Sequence, residues 1–233
     1  QNNRFNLPIE EFSIYTDGQE AMADFSSRGP CEDGRIKPDV VAPGTWIASL
    51  RSIYADDENA WWPISDNYFY MSGTSMAGPQ ASGAAAVFVQ YFRATHTNAT
   101  PSPALVKAAL INSAADMDDG WGTGPTPNMD EGWGRVDLPE LIGSGPGHEL
   151  LDQGTPLAQG QVFEYRVVVD SAATPLKVTL AYTDVPGFPG SPIALVNDLD
   201  LEVLAPDGLL YRGNQFEEGE SVPNAPSADN INN

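Results

Sequence analysis

The amino-acid sequence predicts an α/β unit followed by an all-β unit, and two observations carry this prediction. Up to about residue 142 the chain contains alanine-rich apolar segments typical of packed helices. From about residue 143, segments that alternate apolar and polar residues replace them, as in half-buried antiparallel strands. The predicted units are therefore residues 1–142 and residues 143–233.

The first informative element is the run Gly-Thr-Ser-Met-Ala-Gly-Pro at residues 73–79, which precedes an apolar stretch at residues 81–93. This stretch predicts a buried helix, with Pro79 in the first turn, where a missing N–H costs little. Ser75 would then lie near the positive end of the helix, where unpaired N–H groups can stabilise an oxyanion. Ser75 is therefore a candidate nucleophile.

Two simpler interpretations of this run stay open. A stretch of small residues before an apolar helix is often only a place of close packing, and a serine there often only caps the helix. The run also differs from the nucleophile elbow of the α/β-hydrolases, because Ala77 stands where that pattern requires glycine. This difference argues against an esterase or a lipase.

Residues 73–79 resemble the nucleophile segment of the subtilases, the subtilisin-like serine proteases. Four further segments resemble subtilase segments in the correct order: residues 25–30 (FSSRGP), 37–45 (KPDVVAPGT), 105–115 and 132–136. The last two look like the family's closing helix and last core strand. The resemblance covers roughly residues 20 to 142, and it implies part of a parallel-sheet α/β fold.

The resemblance implies a secreted serine endopeptidase that cleaves polypeptide substrates through an acyl-enzyme on Ser75. The N–H of Ser75 would help to hold the oxyanion, with the Thr74 hydroxyl as a supporting group. Met76 should line the leaving-group side, where its thioether would be sensitive to oxidation.

A serine nucleophile needs a base to accept its proton and a carboxylate to orient that base. The histidines of this chain are His96 and His148. His96 would lie about 30 Å from Ser75 along an unbroken helix, which rises about 1.5 Å per residue. His148 follows a Gly-Ser-Gly-Pro-Gly joint, which predicts a flexible segment. We expect both to be solvated surface residues.

Subtilases place their triad aspartate and histidine, and an oxyanion asparagine, before the serine. Nothing upstream of Ser75 resembles those segments, and Asn2 and Asn3 lack the small-residue context of that asparagine. The resemblance therefore implies a chain cut at both ends, whose triad is completed by the remainder of the peptidase domain and which is inactive in isolation. The alternative is a degenerate, noncatalytic relative that acts as a binding or structural module.

The second unit is predicted to contain four strands, the last two joined by a hairpin turn at residues 205–208. The predicted strands are residues 161–169, 176–182, 199–204 and 209–212. They look like the β-sandwich, a jelly roll, that some bacterial subtilases carry. Such a jelly roll has about eight strands, so this chain would contain roughly half of one.

Oxygen-bearing side chains cluster near the third predicted strand, namely those of Asp184, Asn197, Asp198 and Asp200. Hard cations favour such clusters. Because calcium commonly stabilises subtilases with this appendage, the resemblance implies a structural Ca²⁺ site that uses some of these residues. The alternative is that they only cap and hydrogen-bond the loop.

Composition excludes several classes of partner. The net charge of −21, from 32 acidic and 11 basic residues, argues against nucleic-acid binding. Acidic runs at residues 56–58 and 116–119 suggest solvation, salt adaptation or cation binding.

Cys31 is the single cysteine, which excludes an internal disulfide, and it is predicted to lie in an exposed turn. No apolar run approaches about 18 residues, so we expect no membrane span.

Overall fold

The computed structural model describes residues 21–55, 62–117, 124–143 and 147–232. Their elements, in chain order, are β1 (Ile47–Leu50), β2 (Trp62–Ser65), β3 (Tyr68–Met71), α1 (Thr74–Thr95), α2 (Pro103–Asn112), α3 (Leu138–Ile142), β4 (Glu202–Leu204), β5 (Leu210–Glu217) and β6 (Glu220–Pro223). Asn2, Asn3, the acidic run at residues 56–58, Asp118 and Asp119 lie outside the described residues.

Helix α1 contains the predicted helical run and extends it at both ends, from Thr74 to Thr95. Ala84, Phe88 and Phe92 are its buried residues, and their spacing of four places them on one side of the helix. The prediction of a buried helix holds for this side alone, because Gln90 and Arg93 on other sides are exposed. Helices α2 and α3 pack against the buried side.

The hydrophobic core lies where the three helices meet. Phe88 is fully buried, and the centre of its ring lies 6.1 Å from that of Phe92. Leu105 and Ala109 of α2 and Leu141 of α3 complete the buried cluster. Each Phe or Leu side chain of the cluster contributes about 1.5–3 kcal/mol when it is removed from water, so this cluster holds α1 in place.

The two shorter helices begin at side-chain caps. Ser102 Oγ accepts a hydrogen bond from the Leu105 N–H at 3.1 Å, and Asp137 Oδ1 accepts one from the Glu140 N–H at 3.1 Å. The closing helix was predicted at residues 105–115. The observed helix α2 starts two residues earlier, at Pro103, and ends earlier, at Asn112.

The segment that resembles a last core strand forms single bridges instead of a strand. Arg135 pairs in parallel with Val41 and antiparallel with Ala115. The Val136 N–H donates to the Val41 carbonyl at 2.9 Å, and the Val41 N–H donates to the Gly134 carbonyl at 3.0 Å. The structure was predicted to contain part of a parallel sheet. Within the described ranges, the parallel pairing consists of the single bridge between Val41 and Arg135.

The sheet of the first half is antiparallel, with strand order β1-β3-β2, and was not predicted from the sequence. Ile47 pairs with Met71 and Leu50 pairs with Tyr68. This register places the end of β3, and hence the start of α1, beside the start of β1.

The second half contains an antiparallel sheet with strand order β4-β5-β6. It confirms strands within residues 199–204 and 209–212, and the hairpin turn closes through the Ala205 N–H, which donates to the Leu209 carbonyl at 2.9 Å. The strands predicted at residues 161–169 and 176–182 were wrong, because these residues form no ladder. A strand needs a hydrogen-bonding neighbour, and side chains such as Val162 (80% exposed) face solvent instead.

The two halves touch at several points. Asp33 Oδ2 accepts a hydrogen bond from the Ala194 N–H at 3.2 Å, and the ring of Trp133 lies 5.7 Å from that of Phe216, edge to face.

Cys31 lies in the predicted turn, where the Gly34 N–H donates to its carbonyl, but its free side chain is half-buried, not exposed. No helix in the described part of the chain is long and apolar enough to cross a membrane.

Gly132 generates a stability prediction. It has φ 65°, and a Cβ there would lie 1.9 Å from the Pro38 carbonyl oxygen. Gly132→Ala should therefore destabilise the fold by at least about 2 kcal/mol through strain and steric clash, measured as the urea unfolding midpoint. Gly154→Ala is the control, because its Cβ would meet open space. Equal midpoints for the two variants would contradict the close approach.

Candidate active site

Ser75 is the second residue of α1, and its side chain is exposed. Thr74 before it is also exposed, and Met76 after it is half-buried. The structure therefore presents the Ser75 hydroxyl to solvent at the start of a helix, as the sequence predicted for its position.

Gly73 caps this helix through its backbone. Its φ of 146° and ψ of 167° are accessible to glycine and strained for other residues. The N–H groups of Met76 and Ala77 both donate to the Gly73 carbonyl, at 3.0 and 3.2 Å. No side chain caps the helix, so the interpretation of Ser75 as a helix cap does not describe this geometry.

The turn at Gly73 is held by a second glycine from a distant segment. The Gly73 N–H donates to the Gly44 carbonyl at 2.8 Å. A Cβ on Gly44 would lie 3.0 Å from both the Ala77 Cβ and the Gly73 carbonyl oxygen. Segment 37–45, which resembles the family's strand and turn, is thus packed directly against the start of α1.

The first turn of α1 can stabilise negative charge. The first N–H groups of a helix have no acceptor within the helix, and they carry the positive end of its dipole. The N–H groups of Met76 and Ala77 are already used by Gly73. The N–H groups of Thr74 and Ser75 therefore lie at the open end, next to the Ser75 hydroxyl.

Pro79 was predicted to lie in the first turn of the helix, but it lies further along. The helix begins at Thr74, so Pro79 is its sixth residue and lies inside it. Because proline has no N–H, the Ser75 carbonyl lacks the donor that it would receive from residue 79. The proline thus weakens the hydrogen bonding of the helix at the residue that carries the hydroxyl.

His96 lies at the opposite end of α1 from Ser75, where it follows the last helical residue. The unbroken helix separates the two by about 30 Å at about 1.5 Å per residue, as predicted. His96 is half-buried and not simply solvated, because its ring stacks on that of Phe92 with centres 4.1 Å apart. Its Nδ1 lies 2.8 Å from Thr95 Oγ1 and 3.2 Å from the Phe92 carbonyl oxygen.

His148 is exposed, and its Nε2 lies 3.6 Å from Glu140 Oε1 of α3. The neighbouring Leu141 packs with Phe88 and Phe92 of α1. His148 therefore lies towards the half of α1 that is far from Ser75. Residues 144–146 of the predicted joint lie outside the described residues.

Asp184 anchors a loop through several hydrogen bonds. Its Oδ2 accepts from the N–H groups of Val196 and Asn197 at 2.7 and 3.0 Å, and its Oδ1 accepts from the N–H of Val185 at 2.8 Å and from Asn197 Nδ2 at 2.6 Å. The Asn197 N–H has the largest effect, and together these donors lower the pKa of Asp184 from 3.8 to about 2. Both carboxylate oxygens thus serve the loop, as in the alternative interpretation of this cluster.

Asp198 has a different environment from Asp184. Burial, and then the nearby carboxylates of Asp200 and Asp229, raise the pKa of Asp198 above 3.8. In the part of the chain that the structure describes, no three His, Cys, Asp or Glu side chains are grouped closely enough to hold a metal ion. Of the predicted ligands, Asn197 contacts Asp184, and Asp200 lies near Asp198.

Comparison with known proteins identifies a family match in the first half. A model of the subtilase family matches residues 13–134. The tagA protein of Dictyostelium discoideum, a serine protease/ABC transporter B family protein, is 35% identical over 216 residues, which cover 82% of this chain and 12% of tagA. The minor extracellular protease Vpr of Bacillus subtilis is 41% identical over 106 residues, which cover 44% of this chain and 11% of Vpr.

A solved structure, that of the Clostridium perfringens CspB protease, matches 57% of this chain and 26% of its own at 28% identity, with a TM-score of 0.41. The matched segments of this chain thus span roughly an eighth of tagA and a ninth of Vpr.

The Asp184 anchor predicts a pH dependence. Because its folded-state pKa lies near 2, below the ordinary 3.8, the ionised carboxylate stabilises the fold above about pH 4 and loses this effect as the pH falls towards 2. Asp184→Asn should therefore lower the urea midpoint at pH 7, and the difference from wild type should shrink near pH 2. Asp170→Asn, at an exposed carboxylate, is the control. A difference that stays constant with pH would contradict this role.

Proposed function

Because this chain belongs to the subtilase family, we propose that it forms part of a serine endopeptidase in which Ser75 is the nucleophile. The observation that carries the proposal is the exposure of Ser75 at the second position of α1, directly after the Gly73 turn. A hydroxyl in this position can approach a substrate carbonyl without moving the helix.

In the proposed reaction, Ser75 Oγ attacks the carbonyl carbon of the scissile peptide bond and gives its proton to a histidine. That histidine passes the proton to the departing amine, which leaves an acyl-enzyme on Ser75. Water then hydrolyses the ester and restores the serine. The histidine and its aspartate belong to the remainder of the peptidase domain, since His96 lies at the far end of α1.

The oxyanion that forms during attack would lie near the open end of α1. The N–H of Ser75 points from the first turn and can donate to it, and the helix dipole adds positive potential. The Thr74 hydroxyl would support this site, and Met76 would line the leaving-group side. Met76 is half-buried, and its thioether would be the oxidation-sensitive group of the site.

The substrates would be polypeptides, and the enzyme would act outside the cell. The name of Vpr, a minor extracellular protease, supports the location. The isolated chain would hydrolyse no peptide at a useful rate, because helix-terminus N–H groups without a base give only weak catalysis.

We also propose that Ca²⁺ stabilises the second half. Asp184 is used by loop N–H groups, so the donors that fit a cation best are the carboxylates of Asp198 and Asp200. Burial and then the carboxylate of Asp200 raise the pKa of Asp198, and a divalent cation would relieve the repulsion between these two carboxylates. Asn197 would contribute from the loop.

Ser75→Ala in the complete parent protein is the direct test of the nucleophile. Peptidase activity should fall by about three orders of magnitude or more, because the acyl-enzyme can no longer form. Stability should change little, since the side chain is exposed. Labelling by a fluorophosphonate probe, located by mass spectrometry, should disappear from residue 75.

Ser82→Ala is the matched control, because Ser82 is exposed on the same helix two turns later and its hydroxyl bonds only the Gly78 carbonyl among the described residues. Ser82→Ala should retain wild-type activity. Activity retained in Ser75→Ala would remove Ser75 from this role, and a wild type that is neither active nor labelled would favour a noncatalytic relative.

Removal of calcium should lower the thermal midpoint of the parent protein, because Asp198 and Asp200 repel each other without a cation. The measurement compares melting in excess Ca²⁺ with melting in chelator. Asp198→Asn should reduce the Ca²⁺-dependent shift. Identical midpoints with and without Ca²⁺, in a folded sample, would contradict the site.

A further inference from the structure

The turn that precedes Ser75 is tied to a neighbouring segment at two adjacent points. One tie is the bond from the Gly73 N–H to the Gly44 carbonyl at 2.8 Å. The other runs from the Trp46 N–H to Ser72 Oγ at 2.7 Å and joins residues that are 26 positions apart. The pairing of Ile47 with Met71 continues these ties into the sheet.

The bond between the Trp46 N–H and Ser72 Oγ holds Trp46 in an unfavourable backbone conformation. Trp46 has φ 54°, in the left-handed region that bulky side chains rarely adopt. Its ring lies 5.6 Å from that of Tyr70, at an angle of 74°, and Tyr70 is itself buried. A strained residue persists only where its surroundings determine it fully, and such residues concentrate at functional sites.

Ser72 connects the held residue Trp46 to the turn that leads into Ser75. It stands immediately before Gly73, whose φ of 146° and ψ of 167° turn the chain into α1. Glycine offers little resistance to rotation, so the direction of Thr74 and Ser75 depends on bonds to the residues around Gly73. A displacement of about 1 Å at a reacting group can cost about a hundredfold in rate.

We propose that Ser72 is a positioning residue for Ser75. Its hydroxyl oxygen accepts the Trp46 N–H and thereby fixes the turn that aims the Ser75 hydroxyl and N–H at the substrate. This inference rests on the proposed function of Ser75. It assigns Ser72 an effect on kcat and not on substrate affinity, because Ser72 acts through the turn.

The test uses the complete parent enzyme with Ser72→Ala, Ser72→Thr and Ser102→Ala. The control Ser102→Ala removes the same chemical interaction, a serine oxygen that accepts a backbone N–H, at the start of α2. The measurements are kcat and KM for a peptide substrate, the rate of fluorophosphonate labelling at Ser75, and the thermal midpoint.

For Ser72→Ala we expect kcat and the labelling rate to fall at least about tenfold, with KM within about twofold of wild type. Ser72→Thr keeps the hydroxyl and should restore most of kcat. Ser102→Ala should lower the thermal midpoint and keep the wild-type kcat.

Wild-type kcat in a folded Ser72→Ala enzyme, or a kcat loss of equal size in Ser102→Ala, would overturn the positioning role. If Ser72→Ala does not fold, Ser72→Cys is measured instead, because sulfur is a weak hydrogen-bond acceptor. A reduced kcat at unchanged KM would support the proposal. A wild-type kcat would overturn it. A Ser75→Ala enzyme that keeps full activity would instead overturn the proposed function, and the role of Ser72 with it.

Discussion

The candidate site depends on the close contact between two glycines that lie 29 positions apart. The Gly73 N–H reaches the Gly44 carbonyl at 2.8 Å, and a Cβ on Gly44 would crowd both Gly73 and Ala77 at 3.0 Å. A Cβ at Gly44 would force the neighbouring atoms at the start of α1 to shift by a few tenths of an ångström. The start of α1, and the hydroxyl at its second position, are therefore fixed by the absence of two side chains.

Helix α1 connects this site to the hydrophobic core. Its first turns carry small residues and Ser75, whereas Phe88 and Phe92 in its second half pack against α2 and α3. The packing of Phe88 and Phe92 sets the direction of the helix axis, and the bonds at Gly73 and Ser72 fix its first turn. This division explains why the chemistry-bearing residues can be exposed while the helix remains held.

Some acidic side chains hold loops in place by accepting backbone hydrogen bonds. Asp184 gathers the N–H groups of Val196 and Asn197, and Asp33 reaches across from the first half to the Ala194 N–H. An ionised carboxylate accepts such bonds strongly. Part of the charge of −21 thus performs structural work that composition alone would assign to solvation.

The sequence by itself determined the local features: the helix after residue 73, the separation of Ser75 from His96, the hairpin at residues 205–208, and the family. These depend on periodicity, turn chemistry and short motifs, which are properties of neighbouring residues. Only the tertiary structure decided the antiparallel sheet of the first half, the unpaired segments at residues 161–169 and 176–182, and the tie between Ser72 and Trp46. Each of these depends on which distant segment supplies a hydrogen-bonding partner, and neither propensity nor spacing encodes that partner.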